Sequence, residues 1–126
     1  MKAQEPISLK DKRVLIVEDQ YLIAADLSRA VAGLGGVVVG PVASSAAARA
    51  EMVQSRLDLA FLDIDLNREM VFPLADELEL RGIPFIFATG HDVTIVPDRF
   101  SSKLRLQKPF TVQSVRDAIR RLNLSG

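Results

Sequence analysis

Five short apolar runs, "RVLIV" (13–17), "VVVG" (37–40), "LDLAFLD" (57–63), "IPFIFA" (83–88) and "LRLQ" (104–107), recur along the chain with helix-forming segments between most of them. These runs are near-continuously apolar, which is the mark of strands covered on both faces in a parallel sheet. The segments between them carry a different period. From Gln20 to Leu34, Ile23, Leu27, Val31 and Leu34 fall three and four residues apart, and Gly35-Gly36 offers the left-handed stop that ends a helix. Pro41 closes the second run, and Ser44 or Ser45 can cap an alanine-rich helix reaching about Arg56. Residues 70–81 place Leu74, Ala75 and Leu78 on one face, with Pro73 in the first turn and Gly82 after the last. Residues 93–103 have no clear pattern and are interrupted by Pro97. Thr111 can cap a last helix carrying Val115, Ala118, Ile119 and Leu122.

The alternation predicts an α/β doubly wound parallel sheet of about five βα units, with the flavodoxin-like strand order 2-1-3-4-5. Residues 1–11 are expected as a loose tail and 12–124 as one domain, a length that can bury a single core. The opening stretch has no apolar leader, and no run approaches the roughly 18 apolar residues of a membrane span. With 16 basic against 16 acidic residues, no global field favours nucleic acid or an anionic membrane. The chain has no cysteine, which excludes disulfides and thiolate chemistry and fits a cytoplasmic setting.

In such sheets ligands lie beyond the carboxyl ends of the strands, and the polar residues gather there. Glu18 and Asp19 follow the first strand, Asp63 ends the third, Thr89 follows the fourth and Lys108 the fifth. If strands one and three are neighbours, three carboxylates crowd one crevice and repel, and a hard divalent cation such as Mg²⁺ is the natural compensation. A lysine and a threonine beside that pocket suit an anionic phosphoryl group. Asp63 would be the nucleophile that forms an acyl phosphate, with Lys108 neutralising charge and Thr89 donating a hydrogen bond.

The motifs "VEDQ" (17–20), "FLDIDL" (61–66), "FATG" (87–90) and "QKPF" (107–110) stand in one order. On these the chain resembles the receiver domain of bacterial two-component response regulators. The resemblance implies phosphorylation of Asp63 from a kinase phosphohistidine, and Mg²⁺ held by Glu18, Asp19, Asp63 and the backbone carbonyl of Asp65. It also implies a cis bond between Lys108 and Pro109, and rates of dephosphorylation tuned by Asp65 and His91. A histidine kinase or phosphotransfer protein would be the partner, docking near Tyr21, Leu22 and Ala25 and on the loop after Lys108. The chain departs from the pattern in two places: "LNREM" follows the phosphoacceptor where Met-Pro is common, and Arg105 stands where the switch aromatic usually is. "PFIFATG" resembles a stand-alone subgroup that lacks this aromatic. Only "NLSG" follows Leu122, so no output domain is expected on this chain.

Asp63-x-Asp65 also resembles the nucleophile and acid/base pair of haloacid-dehalogenase-like phosphatases, although the acid pair here precedes the nucleophile rather than following it. A plain nucleotide-binding domain would need a glycine loop where Glu18 and Asp19 sit. Phe61, Phe85 and Phe87 read as core. Arg116, Arg120 and Arg121 read as a solvated helix face that, with Lys103 and Arg105, could meet an acidic partner.

Overall fold

The β-branched run after residue 12 does what its burial demands. In the computed structural model, which describes residues 8–66, 69–90 and 96–122, β1 (Arg13–Val17) is the inner strand of a five-stranded sheet and its last four residues are buried. On one side it pairs with β2 (Val37–Val42), and on the other with β3 (Leu59–Asp63). Beyond β3 lie β4 (Phe85–Thr89) and the three-residue edge strand β5 (Arg105–Gln107). All pairs in this sheet are parallel and the order is 2-1-3-4-5, as predicted.

Alternate residues of each strand feed two cores. Leu15, Val17, Leu62, Phe85 and Phe87 face α2 (Ser45–Gln54) and α3 (Phe72–Leu80). Val14, Ile16, Phe61, Ile86 and Leu106 face α1 (Tyr21–Gly33) and α4 (Val112–Leu122). A strand with two covered faces has no polar side to show, which is why its sequence lacks period-two alternation. Phe61, Phe85 and Phe87 are core residues, as expected. The Ser44 side chain caps α2 by accepting from the Ala47 N–H at 3.1 Å, and Pro73 lies in the first turn of α3. Gly35, at φ 91°, takes the left-handed position just beyond α1.

Three expectations need correction. Leu9, counted with the loose tail, is buried, and its N–H donates to the Leu34 carbonyl at 2.7 Å; a large apolar side chain beside the end of α1 is worth more inside than in water. Pro41 does not end the second strand: β2 continues through it to Val42, because an edge strand can carry a residue without an N–H. The helix expected from residue 70 begins at Phe72. Ahead of it Asp65–Leu66 and Glu69–Met70 form a short antiparallel ladder.

The segment before β5 contains, among the described residues, one 3-10 turn, Asp98–Phe100, rather than an α-helix. Its anchor is Phe100, buried among Phe72, Phe85 and Phe87 with ring centroids 5.7–6.0 Å away. Arg99 reaches Asp76 on α3 through two hydrogen bonds of 2.8 and 2.9 Å, and Lys103 reaches Glu79 at 2.8 Å. An aromatic plug and two ion pairs thus replace the amphipathic face that a helix would have supplied.

Candidate acidic pocket

Parallel register brings the polar strand ends to one rim. Val17 is level with Leu62 and Asp63 with Ala88, so the residues just past β1 and at the tip of β3 are neighbours. Glu18, Asp19 and Asp63 each offer a carboxylate oxygen, and these oxygens lie within 4.8 Å of one another. Lys108 enters from the far side. Its Nζ stands 2.9 Å from Glu18 Oε1 and 3.4 Å from Asp63 Oδ2, and its backbone N–H donates to the Thr89 carbonyl at 2.8 Å. The Lys108–Pro109 bond is cis.

The pocket is tight and unequal. Glu18 and Asp63 are buried, while Asp19 is half-buried. Glu18 Oε2 accepts from the Gln20 N–H at 3.1 Å, and Asp63 Oδ1 accepts from the Asp65 N–H at 3.2 Å. Glu18 Oε1 receives no directed hydrogen bond, although the Lys108 ammonium is close. Three clustered carboxylates against one ammonium leave an excess of buried negative charge, and a buried oxygen without a donor is costly. These are hard oxygen donors with room for charge to be added, so the residues fit a divalent cation of the Mg²⁺ kind.

The crowding marks Asp63. Burial above all, then the hydrogen bond and charge of Glu18, push its carboxyl up to about 7 from the usual 3.8, against the pull of Lys108 and the Asp65 N–H. Below pH 3.8 folded and unfolded chains both hold this proton, and between 3.8 and about 7 the folded protein holds it more firmly. The stability linked to it is therefore present at low pH and lost as pH rises through about 7. In chelator, thermal melts should show stability declining between about pH 4 and 7 on this account, and Asp63→Asn should flatten that slope and melt several degrees higher than wild type at the upper end. Parallel profiles for the two proteins would contradict the assignment.

Other site residues fall in different places. Thr89 ends β4, half-buried, with its hydroxyl only a weak 3.5 Å from the Gly90 carbonyl. The Asp65 side chain is exposed. Arg105 is exposed on β5, level with Phe87. His91 lies outside the described residues. Of the basic group, Arg120 pairs with Asp117 at 3.2 Å and Arg116 donates to Gln113 at 3.3 Å. Lys103 is drawn to Glu79 on α3 instead. Beside Lys108 a cleft of about 360 Å³ opens between α1 and the following loop, lined by Gln20, Ile23, Gly90, Pro109 and Phe110. Tyr21 and Leu22 are almost fully exposed at the start of α1.

Sequence reasoning missed the backbone that carries Glu18. Gly40 has φ 95°, and the register between β1 and β2 slips at this point. The signal was available, since a Gly-Pro step inside an apolar run marks a bulge.

No protein-family model matches the chain. The sensory transduction protein LytT of Enterococcus faecalis is 36% identical over 110 residues, which cover 84% of this chain and 46% of LytT. The chain thus spans about half the length of that curated relative. The solution structure of SdrG from Sphingomonas melonis superposes with a TM-score of 0.81 at 40% identity, covering 89% of this chain and 96% of SdrG. The response regulator PhyR from Brucella abortus gives a TM-score of 0.76 at 26% identity, covering 91% of this chain and 49% of PhyR.

Proposed function

Because the chain belongs to the receiver-domain family of response regulators, we propose that its signalling role is carried by a phosphoryl group taken up on Asp63 from the phosphohistidine of a histidine kinase or phosphotransfer protein. The observation that carries this reading is the packing of three carboxylate oxygens within 4.8 Å, faced by one lysine.

In the transfer, an Asp63 oxygen forms a bond to phosphorus as the bond from phosphorus to the donor's imidazole nitrogen breaks, leaving an acyl phosphate and a neutral histidine once that nitrogen is protonated. Lys108, already within reach of Asp63, balances charge on the phosphoryl oxygens, and the Thr89 hydroxyl is free to donate to one of them. Glu18, Asp19 and Asp63, with the Asp65 carbonyl, would hold Mg²⁺, whose chemistry when bound is further neutralisation of that charge. The exposed start of α1 and the cleft beside Lys108 suit the donor protein, with Tyr21 and Leu22 as apolar contacts. The reading is of a phosphoacceptor rather than an enzyme, acting in the cytoplasm.

Incubation with acetyl phosphate and Mg²⁺, followed by intact mass, tests it. One phosphoryl adduct per chain is expected, and none in excess chelator. Rapid turnover of small phosphate esters would instead favour a phosphatase. Asp65 and His91 are proposed to set how fast water reaches the adduct. Asp65→Ala should change the adduct's half-life severalfold, and an unchanged decay for it and for His91→Ala would remove that role.

A further inference from the structure

Between Leu15 and Val17 of β1, partnered by Val39 and Val42, β2 advances three residues while β1 advances two. The extra residue is a bulge at Gly40-Pro41, and it has a local result: the Val42 carbonyl accepts the Glu18 N–H at 2.9 Å, one residue past the end of β1. The strand is in effect lengthened to reach Glu18. Because Val14 and Ile16 face one core and side chains alternate along extended backbone, Glu18 falls on that same face, now at the rim. There its carboxylate meets Lys108 at 2.9 Å and the Gln20 N–H at 3.1 Å.

Only glycine permits this. Gly40 sits at φ 95°, and a Cβ there would stand 2.8 Å from the Val42 nitrogen and 3.2 Å from the Ile16 carbonyl oxygen. Both are backbone atoms of the two strands the bulge joins, so neither can swing aside as a side chain would. Relief would come by moving Val42 away from β1, which is the movement that breaks its bond to Glu18.

We propose that Gly40 is a positioning residue for the acidic pocket, admitting the bulge through which the Val42 carbonyl holds Glu18 with its carboxylate beside Asp63 and Lys108. The inference rests on the reading of that pocket as a cation site, and it concerns Glu18 through its backbone rather than any direct contact of Gly40 with a ligand.

The test is Mg²⁺ titration followed by amide chemical shifts, with Tm measured for each protein. Gly40→Ala should weaken Mg²⁺ binding about 10-fold or more, the range found when the support of a metal ligand is removed. Leu57→Ala, a core change before β3 at the opposite rim, should lower Tm while leaving Mg²⁺ affinity within about twofold, since distant sites act independently. In the wild type the Glu18 amide should exchange slowly with solvent, and fast exchange there would overturn the inference whatever the variants do. Equal Mg²⁺ affinity in wild type and Gly40→Ala, or equal losses in Gly40→Ala and Leu57→Ala, would also overturn it. A wild type that takes up no Mg²⁺ is a different failure, since it removes the proposed cation site itself.

Discussion

Asp63→Asn should leave a folded protein that takes up no phosphoryl group from acetyl phosphate, while Asp65→Asn, changed only two residues away, should still be labelled. The asymmetry follows from surroundings. Asp63 is buried, 3.4 Å from the Lys108 ammonium and among the oxygens of Glu18 and Asp19, whereas the Asp65 side chain is exposed and its N–H, not its carboxylate, serves the pocket. Removing the nucleophile removes the bond-forming atom, so labelling should fall to background rather than by a modest factor. The two readings of "LDID" part here. A phosphatase that used Asp63 as nucleophile and Asp65 as acid/base would lose most turnover with either substitution. Intact mass after a fixed incubation distinguishes them, and labelling of Asp63→Asn would mean that another side chain is the acceptor.

The largest loss of stability should come from Phe100→Ala, on the order of 3–5 kcal/mol, the range for truncating a buried aromatic. Phe100 touches Phe72, Phe85 and Phe87, three rings from α3 and β4, and is 2% exposed. The three rings that line the space are themselves packed in the core, so the cavity persists and its lining loses contacts. For a chain this size the Tm should drop by roughly 10–20 °C. Phe100→Leu, which keeps most of the volume, should cost well under half of that. The ion pairs Arg99–Asp76 and Lys103–Glu79 would remain possible in both variants, but exposed pairs hold little and cannot restore the loss. A Phe100→Ala protein melting within a few degrees of wild type would show that the 97–103 segment is held by those charges after all.

The fold was legible where local pattern and tertiary environment agree. "RVLIV" and "LAFLD" could hardly be anything but strands covered on both faces, and Ile23, Leu27 and Val31 mark a helix wherever it packs. Where the two diverge the reading failed. Leu9 and Phe100 look like ordinary apolar residues in polar stretches, and nothing local says that each has a partner waiting: the end of α1 for one, three phenylalanines for the other. The ladder of Asp65–Leu66 with Glu69–Met70 is too short to have a period.

The candidate site divides in the same way. Which side chains gather at the carboxyl rim was decided by the sequence, because a parallel sheet must put the residues after Val17, Leu62, Ala88 and Gln107 at one end, and those residues are Glu18, Asp63, Thr89 and Lys108. Strand polarity and alternation are local properties, and they propagate through the sheet without further information. What only the tertiary structure decided is how those groups are held. The bond from Glu18 to Val42 depends on a one-residue slip against a neighbouring strand, and the raised Asp63 carboxyl depends on how closely Glu18 and bulk protein approach it. Distances of this kind arise from contacts between segments remote in the chain. Electrostatic and packing energies change steeply over an ångström, and no spacing of letters encodes that.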